Sequence, residues 1–504
     1  MKHLRSLFKP LARKLSFILI LGGVIAMQNI AVYQERFRPQ FHYSPPRSWM
    51  NDPNGMVYHE GEYHLFYQHN PEDLTWGPMY WGHAVSPDLI HWETLPIALY
   101  PDEHGTIFSG SIVIDANNTA GFGANAMVAI YSYDTQTQGV AYSNDNGRTW
   151  TKYDGNPVMP ALAPDFRDPK VFWHDETARW VMIIAAGHEA QIFHSPNLRD
   201  WTYGSRFAEG QVAPIWEVPD LFPLELGGET YWVMLISITS AAPAGGSGIQ
   251  YFVGDFDGTT FTNANSPGAL LWLDYGPDNY AGTTWANAPD DRRLYIGWMN
   301  NWGYAHTIPT STWRGAATLP REFELQRTPD GIRLAQHPVA EVEQLRTPLG
   351  VWDDLTINGE IVLEGVEGRT LEIIADIEPG TAERLGLVVQ RGDGTGTRVV
   401  YNRALSQLLI SRPDIPEAGP ISGFTPAFGA PVTLDNGRLR LRIFVDESSV
   451  EVFAQDGLVT LTGQTYVDPP ASGVSLYADN GSFTVPHLEI YALSSIWSTV
   501  AMTE

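Results

Sequence analysis

The chain has no cysteine in 504 residues, which excludes disulfides, thiolate metal sites, a cysteine nucleophile and a lipid-modified cysteine anchor. Stability must come from the core alone. Basic residues are also scarce. The 31 Lys and Arg stand against 57 Asp and Glu, and the formal charge of −26 argues against nucleic acid or another polyanion as partner. A neutral or cationic substrate suits it better. Past residue 27 no segment is apolar enough to cross a membrane, and from about Arg36 to Leu325 no helical periodicity is sustained. What the chain has in quantity is aromatic: 17 Trp, 22 Tyr and 21 Phe, which carbohydrate-handling surfaces and buried strands both use. With 43% hydrophobic and 17% charged residues it reads as an ordinary globular protein, long enough for two or three domains.

Residues 1–31 read as a signal peptide or N-terminal anchor. Lys2, Arg5, Lys9, Arg13 and Lys14 precede the apolar run from Leu15 to Met27, which is short for a bilayer span. The expected location is therefore secreted, with no membrane contact beyond this segment.

From residue 36 to 326 short β-rich runs alternate with Gly, Pro, Asn and Asp, as in Glu62 to Tyr67 and Trp180 to Ile184. An element recurs at intervals of roughly fifty residues: Ser86-Pro87-Asp88-Leu89-Ile90-His91-Trp92, Ser143 to Trp150, and Ser195 to Trp201. This is the period of four-stranded propeller blades, each copy reading as a hairpin tip followed by a packing tryptophan. Residues 327–351 read as a linker with a short helical stretch from Val339 to Leu345. Residues 352–498 return to alternating strands and predict a C-terminal β-sandwich. Within it, Asp446, Glu447 and Glu451 read as turn and surface groups of a hairpin. The fold class is all-β.

Three acidic motifs carry the chemistry: Ser48-Trp49-Met50-Asn51-Asp52-Pro53-Asn54-Gly55, Phe166-Arg167-Asp168-Pro169-Lys170, and Trp216-Glu217-Val218-Pro219-Asp220. In the first, Pro53 and Asn54-Gly55 predict a tight turn that holds Asp52 at the end of a strand. In the other two, a proline reads as a strand stop. A propeller collects the inner strands of distant blades round one axis, so the three carboxylates can share one funnel. Glycoside cleavage asks for such a set, with one carboxylate at the anomeric carbon and one acid to protonate the leaving oxygen. Clustered negative charge raises the proton affinity of one member. Other signals point elsewhere: Gly245-Gly246-Ser247-Gly248 has neither the helix nor the Lys of a phosphate loop, Asp255-x-Asp257-Gly258 lacks a calcium-loop ligand series, and His42, His59, His64, His69, His83 and His91 form no zinc pattern. No metal and no cofactor is expected.

With these motifs the chain resembles glycoside hydrolase family 32, the β-fructofuranosidases that include invertases, inulinases and levanases. The resemblance extends to Phe108-Ser109-Gly110-Ser111, Gly254 to Gly258, Asp274 to Ala281 and Trp298 to Arg314. It implies a five-bladed β-propeller catalytic domain followed by the β-sandwich. Asp52 is implied as nucleophile, Glu217 as acid and then base, and Asp168 as an ionised carboxylate that holds two fructose hydroxyls. The outcome would be retention, with nucleophile and acid/base about 5 to 5.5 Å apart. Arg167 is implied to orient a carboxylate, Asn51, Gln68, Trp76 and Ser109 to contact the terminal fructose, and Phe108 and Trp302 to wall it; Trp49 and Met50 are placed with these substrate-binding residues. The substrate is a fructan (levan or inulin) or sucrose, cleaved from the end by a secreted exo-β-fructosidase. An invertase or an endo-fructanase of the same fold, and a non-catalytic fructan-binding protein, are the alternatives.

In one place the chain departs from the family. The family usually has Cys after the acid/base glutamate, where this chain has Val218. Replacing a polarizable thiol by a branched apolar group should shift the acidic limb of the pH profile relative to a Val218→Cys variant. Superimposable rate-against-pH curves for the two proteins would refute this.

Overall fold

A computed structural model describes residues 32–266, 268–414 and 421–497, and the expected export segment lies outside these described residues. Five antiparallel sheets follow one another along the chain. Their innermost strands are Ser48–His59, Ile107–Asp115, Phe166–His174, Trp216–Leu226 and Tyr280–Thr284. Each inner strand is followed by strands that run outward, and the five blades close into a propeller.

Blade-to-blade burial holds the ring together. Met127, Ala129 and Tyr131 of blade two pack on Phe66 and Trp81 of blade one, and Met182 and Ile184 of blade three pack on Val128 and Ile130 of blade two. Blades three and four meet at Ile183, Trp216 and Met234, and blades four and five at Phe222, Tyr295 and Phe323. The ring closes where Leu65 and Tyr67 of blade one meet Leu294 and Ile296 of blade five. The start of the first inner strand also pairs in parallel with Trp313–Arg314, so the connection inside blade five latches the first blade. The recurring sequence element lies between the third and fourth strands of blades one, two and three. Its tryptophans Trp92, Trp150 and Trp201 each pack against an inter-blade cluster, as the repeat predicts.

Three expectations about this region are corrected. The linker expected from residue 327 does not begin there, because Gly331–Pro338 is the outer strand of blade five, paired along its whole length with Arg321–Thr328. Thr328-Pro329-Asp330-Gly331 is the hairpin tip between them. A 3-10 helix, Ala340–Leu345, buries Val342 and Leu345 and leads into the second domain. Nor do the prolines of the acidic motifs stop strands, and Asp52 does not sit in a turn: Pro53, Pro169 and Pro219 all lie within continuous inner strands.

The C-terminal domain packs two layers over one apolar core that includes Ile373, Leu387, Leu441, Leu476 and Leu488. The ladder is continuous between the layers because one long strand, Gly473–Leu493, changes partner midway. Its first part pairs with Arg384–Gly392 and its second with Leu371–Glu378. The change falls at Asn480 and Gly481, both with positive φ, where the strand bends from one layer to the other.

The two domains are joined through buried charge. Arg321 of blade five donates to Glu451 Oε2 at 2.5 Å and Thr462 Oγ1 at 2.6 Å in the sandwich, and to Asp274 Oδ2 at 3.2 Å in the propeller. Asp278 meets Arg412 at 3.1 Å. His42, just ahead of the first blade, lies between Asp446 Oδ2 at 2.7 Å and Glu451 Oε1 at 2.8 Å. Asp446 and Glu451 were expected on the surface; both are fully buried, because each meets a cation and backbone N–H groups there.

Burial opposes a charge on His42, but the two carboxylates outweigh it and raise its pKa to about 9. That lies above the ordinary value of 6.5. The stabilisation, on the order of 3 kcal/mol, is therefore complete below about pH 6.5 and is lost as pH rises toward about 9. Thermal melts across this window should show a falling midpoint for the native chain. His42→Gln should melt lower at pH 6.5 and lack this component of the fall; parallel curves for the two proteins would contradict the assignment.

Candidate active site

The mouth of the propeller axis is built from one device used five times. Near its start, each inner strand sets two residues against one on the neighbouring strand: Asn51-Asp52 against Gln68, Phe108-Ser109 against Ser132, Asp168-Pro169 against Ile184, Val218-Pro219 against Ile236, and Ala281-Gly282 against Gly297. Each is a β-bulge, which leaves a residue unpaired and re-aims a side chain. Pro169 and Pro219 fall inside bulges, where the N–H that proline lacks is not needed by the ladder. Asp168, Val218 and Ala281 take φ of 66°, 42° and 50°. For a β-branched residue such as Val218 this is a strained conformation.

The bulges converge on a cavity of about 230 Å³. Asp52, Asp168 and Glu217 line it together, with Asn51, Gln68, Trp76, Phe108, Ser109, Arg167 and Trp302 around them. Asp52 accepts from Asn51 Nδ2 at 2.9 Å through one oxygen and from Ser109 Oγ at 2.7 Å through the other. Asp168 accepts the Val218 N–H at 3.1 Å, so the strained peptide of one bulge holds the carboxylate of the next. Glu217 Oε1 accepts from Arg167 at 2.9 and 3.3 Å, and its Oε2 accepts from the Tyr280 hydroxyl. Arg167 is anchored in turn by Asp165 at 2.7 Å.

Charge is crowded here. Burial pushes the Asp52 carboxyl up to about 6, and the nearby charge of Glu217 adds to the effect. Burial also raises Asp168, to about 8, against the pull of Arg167 and with the push of Glu217 and Asp52. Burial and the neighbouring carboxylates thus favour the protonated form of Asp168 in the ligand-free site, and Arg167 opposes them.

Two of the expected substrate contacts are corrected. Trp49 and Met50 are fully buried and do not line the cavity. Met50 belongs to the core between blades one and five. Trp49 stands behind the cavity wall, its Nε1 donating to Asn51 Oδ1 at 2.7 Å and its ring stacked on His306 at 4.9 Å. The alternation of a strand explains both: a bulge turns Asn51 and Asp52 to the axis and leaves their predecessors facing the blades. Conversely, sequence reasoning passed over His306, which lines the cavity, and Tyr280, which holds Glu217. Both lie inside the segments Asp274 to Ala281 and Trp298 to Arg314 that carry the resemblance, but neither has a neighbour that announces a role.

Below the trio the axis is blocked. Lys170 donates to Asp220 Oδ2 at 3.2 Å, Thr283 Oγ1 at 2.9 Å and the Thr284 carbonyl at 2.6 Å. Asp220 also receives the Thr284 N–H at 2.7 Å and its hydroxyl at 2.8 Å. Among the described residues no group of His, Asp and Glu could hold a metal ion, and no helix is long and apolar enough to cross a membrane.

Comparison with known proteins agrees with this architecture. Residues 42–338 match the glycosyl hydrolases family 32 N-terminal domain and residues 341–492 the glycosyl hydrolases family 32 C-terminal domain. The chain is 50% identical over 490 residues to a levanase of Bacillus subtilis (strain 168), covering 93% of this chain and 72% of that protein. It is 37% identical to an extracellular exo-inulinase of Aspergillus awamori, covering 97% of this chain and all of that one. The crystal structure of exo-inulinase from Aspergillus awamori superposes with a TM-score of 0.88 at 36% identity, covering 92% of this chain and 100% of that one. An all-β propeller with a bulge-built carboxylate trio, followed by a sandwich, and matched domain by domain over most of its length, makes this chain a member of glycosyl hydrolase family 32.

Proposed function

We propose that the chain is a retaining exo-β-fructosidase that releases terminal fructose from levan- or inulin-type fructans and from sucrose. The observation that carries this reading is the convergence of Asp52, Asp168 and Glu217 on one small cavity with a blocked floor. Its volume, about 230 Å³, falls below the ~300–1,000 Å³ of sites that enclose larger ligands. A cavity of this size suits one terminal sugar ring, with the rest of the chain leaving through the mouth past Trp76, which is 45% exposed. The names of the relatives, levanase and extracellular exo-inulinase, support a fructan substrate and secretion.

In this reading the terminal fructose sits against Trp302 and Phe108, with polar contacts to Asn51, Gln68 and Ser109. Asp52 attacks the anomeric carbon as Glu217 gives its proton to the leaving oxygen; water activated by Glu217 then cleaves the fructosyl ester. Asn51 and Ser109 occupy both Asp52 oxygens from the side, which fixes the carboxylate plane before substrate arrives. Asp168 accepts substrate hydroxyls, and such donors favour its ionised form, countering the burial that raises it. Glu217 must exist in two protonation states within one turnover, and Tyr280 suits both. Its hydroxyl is neutral, since burial holds its pKa well above the ordinary value, so it can donate to a carboxylate or accept from a carboxylic acid.

Chromatography of products from levan, inulin and sucrose tests this directly. Free fructose should accumulate from the first minutes with no intermediate oligosaccharides. Asp52→Asn and Glu217→Gln should each lose about 10²- to 10⁴-fold or more in rate. Oligosaccharides appearing ahead of fructose would replace exo by endo action, and tight binding with no product from any substrate would remove the hydrolase assignment.

The raised Asp52 sets a pH limb. The nucleophile must be ionised, so kcat/KM should fall as pH drops through about 6. Ser109→Ala removes a donor that favours the ionised form, and should move that limb to higher pH as well as lowering the rate. An unmoved limb in this variant would mean that another group sets it.

A further inference from the structure

The opposite mouth of the propeller axis holds a second cavity, of about 620 Å³. Its floor is the far side of the Lys170–Asp220 block with Thr284 and Arg293, and Phe172, Trp173 and Trp232 line it. Asp175, Glu176 and Asp255 line it near solvent, where all three are exposed. None of these residues serves the reaction at the front.

Arg293 is the unusual member. Among the described residues its guanidinium makes no side-chain hydrogen bond and no ion pair, and its Nε is buried without a partner. Its guanidinium carbon lies 5.2 Å from the centroid of the Phe222 ring. Asp220 cannot satisfy it. One Asp220 oxygen already accepts from Lys170, Thr283 and Thr284, and the other accepts the Leu221 N–H. In a chain with 57 acidic and 31 basic residues, a half-buried Arg that forms no ion pair and feels Asp220 only at a distance is against the grain of composition, and its unmet buried Nε costs stability. Arg293 lines the cavity, which is where a ligand would meet its remaining donors.

We propose that this rear cavity is a second, non-hydrolytic binding site for a neutral polyhydroxylated ligand, a short saccharide. Arg293 donates to its hydroxyls, the side chains of Phe172, Trp173 and Trp232 pack against its ring, and the rim carboxylates accept hydroxyls at the mouth. The acidic rim and the net charge of −26 disfavour a polyanion. No cleavage is expected, because Asp220, the carboxylate at the floor, has its oxygens taken by other donors. That the saccharide is a fructan end rests on the fructosidase reading above; the cavity and its unmet guanidinium do not.

The test is a calorimetric titration of the Asp52→Asn enzyme with a fructosyl-sucrose trisaccharide. Two sites per chain are expected. Arg293→Gln or Trp232→Ala, each added to that background, should weaken one of them about tenfold or more. In the otherwise native enzyme each should leave kcat/KM on sucrose within about twofold, which also shows that the variants fold. A single site that neither substitution weakens, or two sites that neither weakens, would overturn the proposal. So would displacement of the trisaccharide from the Arg293-dependent site by inorganic phosphate or chloride, which would make it an anion site. If the front site fails to titrate while the Arg293-dependent one persists, the fructosidase reading falls and this one stands.

Discussion

The unpaired residue of a β-bulge is the constraint on which this molecule depends. A regular inner strand would send alternate side chains into the two adjoining blade interfaces and leave the axis lined by whatever the alternation supplied. Two residues set against one at the same height in all five blades break that alternation together. Asp52, Ser109 and Asp168 lie in the bulges themselves, while Glu217 and Tyr280 come immediately before theirs. The arrangement is also self-supporting, since the Val218 N–H freed by one bulge binds the Asp168 carboxylate presented by its neighbour. Strain in the backbone thus helps hold three carboxylates together at one cavity.

Holding them there needs a rigid ring, and the ring is closed where its first and fifth blades meet. The parallel pairing of the first inner strand with Trp313–Arg314 draws blade one onto blade five. Beneath that seam, Arg321, Glu451 and His42 link blade five, the sandwich and the segment before blade one through one buried network. Buried ion pairs seldom add net stability over apolar packing, yet breaking one strands a charge. The network therefore ties sandwich to propeller in one register, pairing Arg321, Glu451 and His42 across the seam, although the buried Arg321 Nε lacks a partner. With no cysteine available for a cross-link, this network pins segments that are distant in sequence.

Much of this was legible in the sequence because composition and period report on burial. The fifty-residue spacing of Trp92, Trp150 and Trp201 revealed blades, since each must fill the same inter-blade gap. The three acidic motifs stood out because Asp-Pro and Val-Pro are awkward in a strand, though the awkwardness was misread as strand ends when it marked bulges. The errors share a cause. Trp49 and Met50 were taken with Asn51 and Asp52 because a linear motif does not show where alternation is broken. Asp446 and Glu451 were taken for surface groups because their cations, His42 and Arg321, lie hundreds of residues away by sequence or on another domain. Tyr280 and His306 stayed silent for the same reason: their roles come from partners brought in by folding.

The Lys170–Asp220 pair gives the axis its polarity. Lys170 lies two residues beyond Asp168 on one inner strand and Asp220 three beyond Glu217 on the next, so two of the strands that present the carboxylate trio also supply the barrier behind it. Both charges are met by Thr283 and Thr284 of the fifth inner strand. The barrier is neutral overall, and so it closes the front cavity without adding to its negative charge. It also separates the two cavities along the axis. In front, three carboxylates crowd round one guanidinium. Behind, Asp220 is taken up by Lys170 and the threonines, which leaves Arg293 at the floor with an unmet donor beneath the acidic rim of Asp175, Glu176 and Asp255. One ion pair, placed midway along the axis, thereby closes the front cavity and forms the floor of the rear one.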